Sequence, residues 1–317
     1  MEMKTKSFSP GIPVHLYQKA LDGNVLFFCV RDRLVYFTIV CNEAKRYGVT
    51  IHSLCLMFTH THGQVKARCF NDFVQFDRSV AMKYAKAFNA AASRSGQVFQ
   101  KSAGWAHKRG DAKVRENLAY IANNPVVKKL CRRGIDNRWT FLAYGGKKYP
   151  FSSPVQLRFS SAALRRSIKL VNETYRRGRH LGYALLDRLF KDLNPTESQQ
   201  LTDYIIQTYS VIDYSQAASY FGGYDRMIAA FDTLTGAEYD IAEEFNPEPD
   251  EAYAEMARSV RRLGYDLVKK QFITASLEEK GQLMHYLLRT TSASRRQIAR
   301  FLHLPKKAND TVGPIFL

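Results

Sequence analysis

Two histidines one residue apart, His60-Thr61-His62, follow the apolar run Leu54 to Phe58. Side chains alternate faces along a strand, so if the run is a buried strand both imidazoles point the same way from its end. That spacing suits one metal ion. Two ligands do not complete a site. Tyr120 and Asn124 stand at i and i+4 on a segment whose Val114, Leu118 and Ile121 follow helical spacing. One helix face could therefore present a phenol and an amide oxygen together to an ion held from the strand. Pro125 disfavours the α conformation of the residue before it, which predicts that the helix ends at Asn124. Taken singly, a His-x-His pair is more often structural, and one tyrosine among 18 is more often a core residue. Only the joint occurrence points to chemistry.

The elements that must position these groups read off in order. Ile12 to Ala20 alternates like a half-buried strand, and Asp22-Gly23-Asn24 supplies a turn. Arg31 to Tyr47 has near-helical apolar spacing, with Gly48 as its C-cap. Val49 to Phe58 reads as a central strand, Gln64 to Phe70 as the next, and Asp77 to Ser93 as a helix. Residues 96–110 form a strand and loop that interleave aromatic and basic side chains, and Asp111 can cap the helix that carries Tyr120. This order predicts an α+β plait over residues 1–150, an antiparallel sheet with helices on one face. Residues 151–317 read as a mostly α-helical C-terminal domain: basic amphipathic helix over 160–193, then helices near 194–209, 215–221, 224–234, 251–272 and 276–288. The segment 294–312 fits a helix-turn-helix pattern, and a plain helical hairpin equally well.

A formal charge of +18 points to a polyanionic partner, nucleic acid first and an acidic membrane surface second. The charge is unevenly spread. Residues 1–150 hold 25 Lys or Arg against 9 acidic residues, whereas residues 201–250 hold 1 against 10. No apolar run approaches the ~20 residues of a membrane span, and residues 1–6 lack the apolar core of a signal peptide, so a cytoplasmic protein is expected. Five widely spaced cysteines argue for reduced, structural thiols.

With these residues in view, the chain resembles the single-tyrosine HUH transposases, most closely the REP-associated tyrosine transposases. The resemblance rests on three motifs in order across about residues 12–145: His60-Thr61-His62 after a buried strand, Gly96-Gln-Val-Phe-Gln100, and Tyr120-Ile-Ala-Asn-Asn124-Pro-Val. The family pattern is Leu-Met-Pro-Asn-His-apolar-His, then Gly-x-Leu-Phe-Gln, then Tyr-Ile-x-x-Asn-Pro-Val. This sequence departs from it at Thr61, between the histidines, and at Phe58-Thr59, in place of Pro-Asn.

The resemblance implies a bacterial transposase that cleaves and rejoins single-stranded DNA near a hairpin. Tyr120 would be the nucleophile, and His60, His62 and Asn124 would be the ligands of Mg²⁺ or Mn²⁺. The link formed would be a 5′-phosphotyrosine with release of a 3′ hydroxyl. The chemistry agrees from below. An anionic phosphodiester resists attack until a cation neutralises its non-bridging oxygens, and two imidazoles with one amide oxygen leave positions for substrate and water. Ligand type alone also admits Zn²⁺. Lys19, Phe99, Gln100, Lys108, Arg109, Arg115, Arg295 and Arg296 are the candidate DNA-binding residues, on the expectation that cations track phosphates and rings stack on bases. The expected partner is single-stranded DNA with a hairpin, without a membrane, bound by a monomer or homodimer. Two other readings compete: a hairpin-binding protein that has lost the chemistry, with Thr59 and Thr61 as the signs, and a replication initiator or relaxase using the same tyrosine chemistry.

Overall fold

The alternating sequence Val14-His-Leu-Tyr-Gln-Lys builds the strand around which the first half of the chain closes. The computed structural model describes residues 8–101, 103–233 and 248–305. The elements come in the expected order: β1 (Val14–Lys19), α1 (Val30–Tyr47), β2 (Thr50–Leu56), β3 (His60–Lys66), α2 (Phe70–Ala91), β4 (Gly104–His107) and α3 (Asp111–Val127). The four strands form one antiparallel sheet in the order β2-β3-β1-β4. The fold is α+β, with a helical remainder.

Thr61 and Gln64, an odd number of positions apart on β3, identify the two faces of this sheet. Thr61 turns toward α1, where its hydroxyl lies 3.1 Å from Tyr36 Oη. Gln64 turns the other way and donates from Nε2 to Val114 O (3.2 Å) and Asn117 Oδ1 (2.9 Å) of α3. Helices α1 and α2 thus cover one face, and α3 crosses the other. The sequence reading, which put the helices on one face, missed this division because periodicity shows which side of a helix is apolar and not which side of a sheet it covers.

Three boundaries also differ from expectation. The histidine pair does not trail the second strand. The chain turns over Met57 to Thr59, Met57 N donates to His60 O at 3.0 Å, and both histidines open β3. Helix α2 starts at Phe70 instead of Asp77, since the Cys69 thiol accepts from Asp72 N (3.4 Å) and serves as its cap. Helix α3 is entered through Gly110 at φ 78°, with Asp111 in its first turn, and it runs through Pro125 to Val127. A proline near the end of a helix removes only one ladder bond, and here the Asn124 amide donates to Tyr120 O (3.1 Å) over the same turn.

The helical remainder comprises α4 (Ala162–Arg176), α5 (Tyr183–Phe190), α6 (Pro195–Tyr209), α7 (Tyr214–Ser219), α8 (Tyr224–Thr233), α9 (Glu251–Arg262), α10 (Gln271–Thr274), α11 (Leu277–Thr290) and α12 (Arg295–Phe301). The helix expected over 251–272 stops near Arg262, where Gly264 takes φ 87° and Tyr265 N closes back on Val260 O. The second half of the segment 294–312 lies outside the described residues. Apolar side chains on both sides of residue 150 meet in one core, from Val14, Leu34 and Val65 to Leu201, Tyr253 and Phe301. A buried ion pair joins the halves as well: Lys270 Nζ lies 2.7 Å from Asp32 Oδ1, and Asp32 also accepts from Tyr183 Oη (2.6 Å) and Phe28 N (2.7 Å). Its remaining acceptor capacity is thereby met, as a charge removed from water requires.

Candidate active site

On the α3 side of the sheet, β1 and β3 set a row of functional side chains. The register pairs Tyr17 with His62 and Lys19 with His60, so His15, Tyr17 and Lys19 share a face with His60 and His62. The two histidine rings are 4.9 Å apart, centroid to centroid, and nearly perpendicular. Tyr120 of α3 descends onto them with its ring centroid 5.5 Å from that of His62. Three of the predicted residues are therefore brought together. Asn124 follows one helical turn beyond Tyr120 and is buried, with its amide nitrogen engaged by the Tyr120 carbonyl. The amide oxygen is then the group it has for a cation.

Each histidine is held through Nδ1. Thr59 Oγ1 lies 3.0 Å from His60 Nδ1, and His15 Nε2 lies 3.0 Å from His62 Nδ1. A metal-binding imidazole ordinarily uses its second nitrogen in this way, to fix the tautomer and the plane of the ring. With Nδ1 so engaged, Nε2 is the nitrogen through which either ring would meet a cation, and two imidazole nitrogens with an amide oxygen are the donor types a divalent cation accepts. His15 and His62 are fully buried, whereas His60 and Tyr120 reach the surface. Burial, then the nearby His62 and Lys108, push the His15 pKa well below the ordinary histidine value. Burial thus favours the neutral His15 ring, which in its Nδ1-protonated tautomer would accept from His62.

Thr59 and Thr61, the two departures from the resembled pattern, both have defined places. Thr59 orients His60. Thr61 points away from the site and satisfies the buried Tyr36 hydroxyl. Neither side chain obstructs the histidine face.

Helix α3 is clamped between two surfaces. On the sheet side, His52 Nδ1 contacts Gln64 Oε1 at 3.0 Å, Gln64 holds α3, and His52 Nε2 meets Gln216 Oε1 of α7 at 2.6 Å. On its outer side Val114, Leu118, Ala119 and Ala122 pack against Ala217, Met227, Ile228 and Phe231 of α7 and α8. Asn123 Nδ2 donates to Phe231 O (2.8 Å), and Arg133 pairs with Asp232 at 2.7 Å. The helical remainder thus sets the height at which Tyr120 meets the histidines.

The candidate DNA-binding residues fare unevenly. Lys19 lies at the mouth of the site, with Nζ 5.5 Å from the Tyr17 ring centroid. Gln100 is exposed beside it, with its N–H donating to Lys19 O at 3.0 Å. Phe99 is a core residue packed on Tyr84, and its ring does not reach a surface where bases could stack. Lys108 is buried near His15, away from the surface a DNA backbone would follow. Arg109 is exposed and donates to Ser9 Oγ, and Arg115 reaches Tyr220 O of the helical remainder. Arg295 and Arg296 are exposed in the first turn of α12.

Two residues of this face had no place in the expected site: His15, which by itself reads as a structural or exposed histidine, and Tyr17. The available signal was the alternation of β1, which puts both on the face of Lys19. What could not be read was the diagonal pairing of β1 with β3 that brings His15 to His62.

No protein family matches the chain by sequence, and no curated protein does. Among solved structures the chain is similar to a REP-associated tyrosine transposase bound to a REP hairpin, with 14% sequence identity and a TM-score of 0.38, over 44% of this chain and 81% of that one. This is a distant structural likeness. What the geometry defines is an α+β sheet protein whose sheet face presents two histidines to a tyrosine from a crossing helix. No helix among the described residues is long and apolar enough to cross a membrane.

Proposed function

We propose that this protein is a metal-dependent enzyme that cuts and rejoins single-stranded DNA beside a hairpin through a covalent 5′-phosphotyrosine at Tyr120. The observation that carries the reading is the approach of the Tyr120 ring to His62, with both histidines oriented through Nδ1. His60, His62 and Asn124 would hold the ion. A bound Mg²⁺ or Mn²⁺ would supply charge neutralisation at the non-bridging oxygens of the scissile phosphate.

The side chains do the rest. The Tyr120 hydroxyl gives its proton to solvent, its oxygen attacks phosphorus, and a tyrosine–phosphate bond forms as the bond from phosphorus to the 3′ oxygen breaks. The 3′ oxygen leaves with a proton as a hydroxyl. Attack by a 3′ hydroxyl on the phosphotyrosine reverses the step and returns the phenol, so no external energy is needed to rejoin. Lys19, at the mouth beside His60, offers a cation to the entering backbone. The hydrogen-bonded places of Thr59 and Thr61 favour this reading over a hairpin-binding protein that has lost its chemistry.

The test is incubation with 5′-labelled and 3′-labelled hairpin oligonucleotides drawn from the DNA flanking the gene, with Mn²⁺ or with EDTA. A denaturation-resistant protein–DNA adduct in Mn²⁺ alone is the expected result. Hairpin binding without an adduct under any metal condition would favour the non-catalytic reading.

A further inference from the structure

Away from the site, on the other side of the sheet, α4 carries an unusual surface. Residues 155–179 contain seven Lys or Arg and one acidic residue, Glu173. Arg165, Lys169, Asn172 and Arg176 stand at i, i+4, i+7 and i+11, so they form one stripe along the helix. They line a groove together with Leu157, Ile168 and the one acidic residue, Glu173. Asn172 uses its Oδ1 to accept from Tyr204 Oη at 2.9 Å, which leaves its amide N–H groups as donors in the stripe. The opposite face of α4, with Leu164, Ser167 and Val171, is buried against the rest of the helical remainder.

A solvated face explains a row of cations on an amphipathic helix, but it does not explain the apolar groups set beside this row. Phe159 is 77% exposed, the most exposed large apolar side chain among the described residues, and Leu157 is 54% exposed. The Arg158 guanidinium stands 5.6 Å from the Phe159 ring centroid. Arg165, Lys169 and Arg176 make no ion pair among the described residues. Three cations lining a groove, with an exposed aromatic ring in the turn that leads into the same helix, supply the two contacts a single strand uses, cations for phosphates and a ring for a base. A duplex, whose bases are already stacked on one another, makes no use of Phe159.

We infer that the α4 groove is a second nucleic-acid site that binds single-stranded DNA, with Arg165, Lys169 and Arg176 on phosphates and Phe159 on a base. Helix α4 packs on α6, α6 on α1, and α1 on the sheet face opposite Tyr120. The groove is therefore separate from the cleavage site. It would hold a second segment of strand on the same protein and raise the effective concentration of DNA at the first site. This inference does not depend on the catalytic reading.

The test uses the full chain and a short fluorescent oligo-dT, with stoichiometry and affinity measured over a salt series. Wild type is expected to bind two oligonucleotides per chain. The variant Arg165→Glu with Lys169→Glu should bind one, and the salt slope summed over all binding should fall by at least about 1.4, for two phosphates at roughly 0.7 each on single strands. The milder Phe159→Ala should weaken that site fivefold or more without changing the salt slope. One oligonucleotide on wild type and none on the double variant would uphold the groove and count against strand binding at the catalytic face. Unchanged stoichiometry and salt dependence in both variants would overturn the inference. So would a double variant that lost binding to an acidic peptide while retaining both oligonucleotides.

Discussion

His15 Nε2 lies 3.0 Å from His62 Nδ1, with both rings fully buried on the same sheet face. This contact makes His15 a positioning residue for one of the two proposed imidazole ligands. His15→Ala is expected to weaken Mn²⁺ binding about tenfold or more, as loss of an outer-shell partner does. Isothermal titration or the Mn²⁺ electron spin resonance signal gives the affinity without any turnover. His15→Gln, which can still accept from His62, should recover part of the loss. Equal Mn²⁺ affinity in wild type and His15→Ala would remove the positioning role.

The contact between Thr61 and Tyr36 predicts a stability effect separable from chemistry. Thr61→Val leaves the buried Tyr36 hydroxyl without its partner, at a cost of about 1–3 kcal/mol in chemical denaturation. Adding Tyr36→Phe removes the stranded hydroxyl and should return much of that loss. Because Thr61 faces away from the histidines, metal affinity of the folded protein should not follow the stability.

Helix α3 is also held from beneath at Gly134. A Cβ there would sit 2.2 Å from Ala122 O, a backbone atom two residues past Tyr120. Gly134→Ala must therefore move α3 or the loop under it, with an expected destabilisation of roughly 1–3 kcal/mol. Adduct formation should fall more than folded fraction does, since Tyr120 shifts with its helix. Parallel measurement of thermal unfolding and adduct yield separates the two.

Asp250 supplies a pH dependence. Burial pushes its carboxyl up to about 6 in the folded protein, against an ordinary value of 3.8. Below the ordinary value the group is protonated whether the chain is folded or not, and it costs nothing. As pH rises toward 6 the unfolded chain ionises first, so folding loses stability across that window, and the loss is complete above it. Asp250→Asn should therefore match wild type near pH 4 and be more stable above pH 6, by at most about 3 kcal/mol, the free energy of holding a proton across that window. Denaturant titrations at the two pH values read the difference, and equal stabilities at pH 8 would contradict it.

Much of the plait was legible because it rests on local signals. Alternation marked β1, the apolar run marked β2, and helical spacing marked α1 and α3. The candidate site was legible where it lies in motifs, in that His60, His62 and Tyr120 come together as their spacing led one to expect. What the sequence hid depends on long-range pairing. The face on which α3 lies, the diagonal approach of His15 to His62, and the grip of α7 and α8 on the tyrosine helix all join residues far apart in the chain. Phe99 shows the reverse error. An aromatic beside basic residues looks like a stacking surface, but the isolated bridge from Ala20 to Phe99 folds it into the core.

Two tyrosines share the histidine face: Tyr120, with its ring 5.5 Å from His62, and Tyr17, with its ring 6.3 Å away on β1. The direct test of the catalytic proposal is to digest the Mn²⁺-dependent protein–DNA adduct and map the modified tyrosine by mass spectrometry, in wild type, Tyr120→Phe and Tyr17→Phe. A nucleotide carried through its 5′ phosphate on the Tyr120 peptide, absent in Tyr120→Phe and retained in Tyr17→Phe, is the predicted result. An adduct that persists in Tyr120→Phe, or maps to any other residue, would contradict it.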